Sequence, residues 1–173
     1  MEDAWLAAKA KKGDDEAFYA LIQQHKAPLF KTAIYYLKNE PDALEAVQEV
    51  TFRAYQSIKK LNEPKYAKTW LIRIMIFYCL DEIKRRKRML VKETEERTIE
   101  ADPSLKMSLE QYTSRLADNL QVVIILKYFH DLTLTEIARV LKRPEGTVKT
   151  WLHKALGELR SMMDEEEGRH ELR

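Results

Sequence analysis

The sequence predicts an all-α fold with two small helical domains joined by a linker, and three observations support this. The chain has 173 residues of which 45 % are hydrophobic, enough apolar material for two small cores. It contains only four glycines and five prolines, fewer than an all-β fold with many tight turns would need. Apolar residues also recur at steps of three and four, the spacing of one helix face. We predict an N-terminal domain over residues 1–90, a linker over 91–107, and a four-helix domain with a helix-turn-helix and an acidic tail over 108–173.

Basic residues are concentrated in two blocks, although the formal net charge is only +2. Residues 65–92 contain nine basic and two acidic side chains, and residues 139–160 contain six basic and two acidic. Two separated basic blocks favour two contacts with a polyanion such as nucleic acid. A basic run is also typical of a solvated helix face, so the charge pattern by itself leaves both interpretations open.

Three features bear on where the protein works. Cys79 is the only cysteine, so a disulfide within the chain is impossible, as is usual in the reducing cytoplasm. The N-terminal segment lacks the basic and then apolar pattern of a signal peptide. The most apolar run, residues 70–80, is too short to span a bilayer and contains Arg73. We therefore expect a cytoplasmic protein that is not itself a membrane protein.

In the first domain, a helix is predicted to begin near Gly13, and Pro28 is expected to break or kink it into two. A second helical pattern covers residues 43–58. Its predicted core stripe consists of Leu44, Val47, Thr51, Tyr55 and Ile58. A polar loop over residues 59–68 then leads into a long helix over 69–88, which starts apolar and ends strongly basic.

The second domain is predicted to contain helices over residues 108–118, 119–130, 134–141 and 145–160. Thr133 and Glu136 have the spacing of a capping box, and Pro144 suits the first turn of the last helix. The inward face of that helix is predicted to carry Val148, Leu152, Ala155 and Leu159. The outward face carries Lys149, Thr150, His153 and Lys154, which can contact phosphates and base edges. Residues 146–159 are therefore predicted to form a DNA-recognition helix, although a helical hairpin in an ordinary bundle has a similar pattern.

These motifs resemble bacterial RNA polymerase sigma factors of the extracytoplasmic-function (ECF) type. Residues 134–138 (LTEIA) and 144–150 (PEGTVKT) are similar to the C-terminal domain of that family. Residues 42–55 resemble its core-polymerase-binding helix. Residues 70–74 (WLIRI), followed by Asp81, Arg85 and Arg86, resemble its promoter-melting helix. The motifs occur in the family's order over nearly the whole chain, which two independent chance matches would rarely produce.

The resemblance implies a transcription initiation factor that binds core RNA polymerase, directs it to −35 and −10 promoter elements and aids promoter melting. By similarity, core-polymerase binding is expected at Glu45, Gln48, Glu49 and Arg53. Contact with −10 DNA is expected at Lys65, Tyr66, Lys68, Trp70, Arg73, Lys84, Arg85 and Arg86. Contact with −35 DNA is expected at Thr147, Lys149, Thr150, His153 and Lys154. Capture of unstacked bases needs aromatic surfaces beside positive charge, which Tyr66 and Trp70 can supply; Trp70 is equally compatible with a core position.

Several positions differ from the family or have two interpretations. Many members carry Asn in place of Phe77, and Arg in place of Trp151 and Leu156. Fewer arginines on the recognition helix mean fewer bidentate guanine contacts, so base preference cannot be transferred from relatives. The linker carries the acidic residues Glu93, Glu95, Glu96, Glu100 and Asp102. They could enter a channel built for nucleic acid, as the family's linker does, but a soluble spacer would have the same composition.

Two other function classes compete with the sigma factor. A ligand-responsive helix-turn-helix transcription regulator, with the N-terminal helices as a sensor domain, is compatible with the C-terminal motif alone. An enzyme is not expected, because the sequence has no glycine-rich phosphate loop, no Cys/His metal spacing and no nucleophile–base set. The four histidines, His25, His130, His153 and His170, are scattered, and we expect no metal or cofactor. The resemblance further implies a membrane-associated anti-sigma factor as an inhibitory partner.

Overall fold

The computed structural model describes residues 1–93 and 108–172, and within those ranges every regular element is helical. The chain divides into two compact units, Met1–Glu95 and Glu96–Arg173. The predicted all-α, two-domain fold class is confirmed. The predicted linker begins too early, because residues 91–93 continue a helix. The linker residues Glu95, Glu96, Glu100 and Asp102, whose entry into a nucleic-acid channel was considered above, lie outside the described residues.

The described part of the first unit contains four α-helices. They are α1 (Glu2–Lys11), α2 (Asp15–Leu37), α3 (Glu40–Ser57) and α4 (Ala67–Glu93). Two 3-10 turns, Ile58–Lys60 and Pro64–Tyr66, occupy the predicted loop between α3 and α4. Helix α1 was not predicted, and its buried side chains are only Leu6, Ala7 and Ala10. Helix α4 begins two residues before the predicted start and extends five residues beyond the predicted end.

Helix α2 is continuous through Pro28, so the prediction of two separate helices is wrong. Asp14 caps its first turn, where the carboxylate accepts a hydrogen bond from the Ala17 N–H at 2.9 Å. Pro28 removes one backbone donor, which weakens a helix. Here α2 packs along much of its length on α1, α3 and α4, with Leu21 and Leu29 almost fully buried on either side of the proline. That tertiary packing offsets the lost hydrogen bond.

Helix α3 buries a different face from the predicted one. Leu44 and Tyr55 are 46 % and 50 % exposed, so their assignment to the core is wrong, whereas Val47 and Ile58 are buried as predicted. The residues of α3 that are buried are Ala43, Ala46, Val47, Val50 and Ala54. Small side chains let the backbones of packed helices approach closely, so alanines occupy the contact with α2 and α4. The bulky apolar side chains therefore lie outside it.

The second unit contains four helices in the described residues, as predicted. They are α5 (Leu109–Ser114), α6 (Asp118–Ile124), α7 (Leu134–Leu141) and α8 (Glu145–Glu171), and α6 continues into a π-helical turn over Ile125–Phe129. Its core includes Leu120, Val123, Leu126, Ile137 and Val148, all no more than 2 % exposed. Helix α8 continues well beyond residue 160, where the prediction ended.

The predicted capping box at the start of α7 is confirmed. The Thr133 hydroxyl accepts a hydrogen bond from the Glu136 N–H at 3.2 Å, and the Glu136 carboxylate accepts one from the Thr133 N–H at 2.8 Å. Helix α7 ends at Leu141, and the C-cap Lys142 adopts a left-handed conformation with φ of 51°. Pro144 is the N-cap of α8 rather than a residue of its first turn. These caps and the left-handed residue create the tight turn of the helix-turn-helix.

We predict that Thr133→Ala destabilises the start of α7 by about 1 kcal/mol, because the N-terminal N–H groups lose a side-chain acceptor. Hydrogen exchange of the α7 amides in the intact chain measures this as a roughly fivefold loss of protection. Thr133→Ser keeps the hydroxyl and serves as the control. Equal protection in all three chains would contradict the capping role.

Candidate nucleic-acid interface

The helix-turn-helix presents a polar outer surface on the first turns of α8. Val148, Ala155 and Leu159 are buried and Leu152 is half-buried, which confirms the predicted inward face. The opposite face carries the exposed side chains of Lys149, Thr150, His153 and Lys154, while Thr147 is half-buried. Side chains three and four residues apart share one side of a helix. These polar groups therefore form one continuous surface about two turns long.

A side-chain hydrogen bond joins the start of α8 to α7, and further side-chain contacts lie within α8. The Thr135 hydroxyl donates to the Glu145 carboxylate at 3.1 Å, so the first turns of the two helices are joined. Thr150 donates its hydroxyl hydrogen to the Gly146 carbonyl at 2.9 Å. Lys154 lies 4.0 Å from the Glu158 carboxylate, and both side chains are well exposed. Such an exposed pair is weak, so the Lys154 ammonium group can reorient towards an anion.

Trp151, which stands where relatives often have arginine, is a packing residue. Its half-buried ring packs against a buried cluster of Tyr112, Leu116, Leu120, Ile124, Ala155 and Leu159. The guanidinium group of Arg143 lies 5.9 Å from the centre of that ring. Arg143 and its neighbour Lys142 are both exposed in the turn before α8. The prediction of site residues omitted these two cations, although the basic count over residues 139–160 included them.

In the first unit, an aromatic and basic cluster lies where the second 3-10 turn meets α4. The Lys65 ammonium group lies 3.0 Å from the Glu63 carboxylate and 4.9 Å from the centre of the Tyr66 ring. The Thr69 hydroxyl donates to the Tyr66 carbonyl at 2.9 Å, which joins the turn to the helix. Tyr66, Lys68 and Trp70 are half-buried and Lys65 is exposed. Trp70 is thus neither a full core residue nor a fully exposed one.

Arg73 and Phe77 form a second pair one turn further along α4. The Arg73 guanidinium group lies 5.0 Å from the centre of the Phe77 ring. Burial lowers the pKa of Arg73 from its ordinary value, and at that basic pKa the group still carries its charge at neutral pH. Phe77 is 40 % exposed, so it is not a core residue. The pair places a cation on an aromatic face at the protein surface.

The basic end of α4 combines intramolecular ion pairs with exposed cations. Arg86 lies 2.6 Å from the Asp42 carboxylate at the start of α3 and 3.0 Å from Glu82. Glu82 also pairs with Arg85 at 2.6 Å. Lys84 is exposed on the same helix. It lies fourteen residues beyond Trp70, which corresponds to about 21 Å along a helix. The predicted −10 residues therefore form two groups, one where the second 3-10 turn meets the start of α4 and one at the basic end of α4.

The ion pairs of Arg86 also affect the acids that face it. Hydrogen bonding to Arg86 lowers the pKa of Asp42 below its ordinary 3.8. Hydrogen bonds from Arg85 and then from Arg86 lower the pKa of Glu82 below 4.5. Both carboxylates therefore stay ionised to a lower pH than ordinary carboxyl groups do. Arg86 thus connects α4 to the N-terminal end of α3 and is less available to DNA than Lys84.

The outer side of α3 combines charged and apolar groups. Glu45 and Gln48 are exposed, and Arg53 pairs with Glu49 at 2.8 Å while its guanidinium group lies 5.1 Å from the Tyr78 ring. The exposed apolar residues on this helix are Leu44, Phe52 and Tyr55. Gln48 also borders an open groove of about 370 Å³ between α2 and α3. The groove is lined by Phe18, Tyr19, Ile22, Gln23, Lys26, Val47, Gln48 and Thr51.

The described residues contain neither a candidate metal site nor a candidate membrane-spanning helix. No group of three His, Cys, Asp or Glu side chains in residues 1–93 and 108–172 is placed to hold a metal ion. In the same part of the chain, no helix has the length and apolar character needed to cross a membrane.

Taken together, the helix-turn-helix and the basic surfaces define a two-domain DNA-binding protein.

Comparison with known proteins identifies the family. Residues 21–89 match the model of sigma-70 region 2, and residues 106–159 match that of sigma-70 region 4. The chain is 30 % identical to the RNA polymerase sigma factor SigV of Bacillus subtilis, over 92 % of this chain and 98 % of the relative. It is 31 % identical to the ECF RNA polymerase sigma factor SigW of the same organism, over 90 % of this chain and 93 % of the relative.

Solved structures agree on the fold. A structure of CnrH in complex with the cytosolic domain of CnrY has a TM-score of 0.74 at 22 % identity and covers 95 % of this chain and 98 % of its own. The sigma factor RpoE of Bartonella quintana, solved with the anti-sigma factor NepR, has a TM-score of 0.64 at 18 % identity and covers 82 % and 95 %. The chain belongs to the ECF-type family of RNA polymerase sigma factors. It is a promoter-directing factor, and a ligand-responsive regulator is not favoured.

We predict that Arg86→Met lowers the thermal midpoint of the first unit at pH 7, since Asp42 and Glu82 lose a shared cation. Carboxylates whose folded pKa is depressed contribute stability above their unfolded pKa, and that contribution is lost as pH falls through the folded pKa. The difference from wild type should therefore shrink as the pH falls below about 4. Circular dichroism melts of the intact chain between pH 3 and pH 7 measure it.

Arg88→Met is the matched control, because Arg88 is an exposed arginine on the same basic stretch of α4. Its melting curve should follow that of the wild type at each pH. A deficit in Arg86→Met that stays constant across the whole pH range would contradict the proposed ion pairs.

Proposed function

We propose that this sigma factor contacts promoter DNA through two surfaces and core polymerase through a third. The observation that carries the proposal is the exposed polar face of α8, whose opposite face is anchored in the core of the second unit. That face is assigned to the −35 duplex. The turn before α4 is assigned to the melted −10 element, and the outer face of α3 to core polymerase.

The assignment of α8 to the −35 element rests on groove geometry and side-chain chemistry. A major groove admits one α-helix, and residues near the N-terminal end of a recognition helix reach base edges. Thr147, Lys149, Thr150, His153 and Lys154 all lie in the first three turns of α8. Lys142 and Arg143 in the preceding turn add phosphate contacts beside these residues. With few arginines available, phosphate contacts carry much of the affinity on this face.

The assignment of the turn before α4 to the −10 element rests on the aromatic and basic cluster there. Bases leave the duplex stack more readily when they can stack on an aromatic side chain beside positive charge. Tyr66 and Trp70 supply the aromatic surfaces, and Lys65, Lys68 and Arg73 supply the charge. Lys84 and Arg85, about 21 Å further along α4, contact the backbone of the adjacent duplex. Arg86 contributes mainly by holding this part of α4 to α3.

The outer face of α3 suits a protein partner better than it suits DNA. Exposed apolar residues in one region mark protein interaction surfaces. Leu44, Phe52 and Tyr55 are each about half exposed and border the charged and polar residues Glu45, Gln48, Glu49 and Arg53. Two acidic side chains in this set would repel a phosphate backbone. We therefore assign this face to the clamp of core polymerase.

An anti-sigma factor is the second protein partner that we propose. The solved relatives include CnrH bound to the cytosolic domain of CnrY and RpoE bound to the anti-sigma factor NepR. A membrane-associated anti-sigma factor would hold this chain inactive until a signal releases it. The chain then acts in the cytoplasm, without catalysis, a metal or a cofactor of its own.

In vitro transcription tests the proposed function directly. The chain is mixed with core polymerase and genomic DNA fragments, and the start sites of the transcripts are mapped. Dependence of specific transcripts on the added chain, with shared sequences near −35 and −10, is expected. No binding to core polymerase at micromolar concentration would refute the proposal, and binding to DNA that responds instead to a small ligand would favour the regulator.

We predict that Lys154→Ala weakens binding to a −35 duplex and reduces the salt dependence by about one counterion, because one phosphate contact is lost. Fluorescence anisotropy of the intact chain over a range of salt concentrations measures both. Arg169→Ala is the control, since Arg169 is exposed about 22 Å further along α8. An unchanged salt slope in Lys154→Ala would exclude a phosphate contact.

We predict that Tyr66→Ala reduces promoter opening about tenfold while affinity for core polymerase is unchanged, because one base loses its stacking surface. Permanganate reactivity of thymines in the −10 region measures opening, and core affinity is measured separately. Tyr66→Phe keeps the ring and should open promoters normally. Equal losses of opening and core affinity would instead point to a packing role for Tyr66.

A further inference from the structure

Helix α1 lies outside the part of the chain that matches sigma-70 region 2, which begins at residue 21. It packs on α2, on α4 and on both 3-10 turns between α3 and α4. Leu6, Ala7 and Ala10 are buried in these contacts at 5 %, 0 % and 4 % exposure. The helix is therefore an integrated part of the first unit, and it lies directly against the segment assigned to the −10 element.

Two polar contacts anchor α1 to α2. The Asp3 carboxylate lies 2.9 Å from Nε2 of His25, and the His25 ring is buried. At the other end of α1, Lys9 pairs with Asp14 at 3.5 Å, next to the turn that leads into α2. With Leu6, Ala7 and Ala10 buried and Asp3 joined to His25, α1 has a defined position and can act as a support for another segment.

The supported segment is the 61–66 loop. The Lys11 ammonium group donates a hydrogen bond to the Leu61 carbonyl, where the first 3-10 turn ends and the loop begins. At the other end of the loop, the Tyr66 carbonyl accepts from the buried Thr69 hydroxyl at 2.9 Å. The loop is thus held at both ends, by α1 and by α4. Between these ends Asn62, Glu63 and Lys65 are exposed.

We infer that Lys11 is a positioning residue for promoter recognition, which holds the 61–66 loop in the conformation that receives an unpaired base of the −10 element. A loop that is ordered before binding loses less conformational entropy when it binds. Lys11 is half-buried and donates to a backbone carbonyl, so its role does not require contact with DNA. This inference rests on the proposed contact between the loop and the −10 element.

The test compares Lys11→Met with Lys12→Met in the full chain bound to core polymerase. Both changes remove one positive charge, and Lys12 is exposed directly beside Lys11. Methionine keeps most of the apolar stem of Lys11 but removes the donor. The probe is a fork-junction fragment from a mapped promoter, with the −10 element single-stranded. Affinity for core polymerase and for the −35 duplex is measured in parallel.

Lys11→Met is expected to weaken fork binding about fivefold, which corresponds to the net contribution of one hydrogen bond. Affinity for core polymerase and for the −35 duplex should be unchanged. Lys12→Met should bind within the error of wild type, and Lys11→Arg, which keeps a donor, should restore most of the affinity. Fork binding by Lys11→Met that equals that of Lys12→Met would overturn the inference. A parallel loss of core affinity would also overturn it, because a general structural role would then suffice.

Tyr66→Ala distinguishes this inference from the assignment on which it rests. If Tyr66→Ala weakens fork binding and Lys11→Met does not, the positioning role fails and the −10 assignment stands. If Tyr66→Ala leaves fork binding unchanged, the −10 assignment fails and the positioning role fails with it. If both changes weaken binding, the double variant should lose less than the sum of the two free-energy changes, because both residues act through one loop.

Discussion

The close approach of α3 to α2 and α4 is the constraint on which the first unit depends. Ala43, Ala46 and Ala54 on α3, together with Ala33 on α2 and Ala67 on α4, are fully buried. Larger side chains at these positions would force the helices apart, because protein interiors have little free space. With alanines inside, Leu44, Phe52 and Tyr55 have no room in the core and lie at the surface. The exposed apolar face assigned to polymerase is therefore a consequence of the tight packing.

Cations of the chain differ in whether they support the fold or face outward. Arg86 pairs with Asp42 and Glu82, and Lys11 donates to a backbone carbonyl, so these two groups stabilise the positions of neighbouring segments. By contrast, Lys84 on α4 and Lys149 on α8 are exposed to solvent. The net charge and the counts of basic residues do not distinguish these two groups of cations. Only the local partners decide which of them can release counterions from a phosphate backbone.

Much of the architecture could be predicted because its signals are local. The capping box of Thr133 and Glu136 depends on residues three apart, and the two faces of α8 follow from steps of three and four. Three features were missed or wrong because they depend on distant residues. Helix α1 has too few large apolar residues to show a pattern, Pro28 is tolerated through packing on neighbouring helices, and the buried face of α3 follows from which side chains fit its neighbours.

The sequence by itself determined the helical class, the two-domain order, the helix-turn-helix and the family, because caps, periodicity and motifs are read from residues close together in the chain. Tertiary structure decided which face of α3 is buried, that Trp151 packs in a core while Arg143 lies over it, and that Arg86 and Lys11 support other segments. These outcomes depend on volume and charge contributed by residues far apart in sequence. Asp42 and Arg86 are 44 residues apart, and Lys11 and Leu61 are 50 apart. No local pattern pairs them, and only the folded chain brings them together.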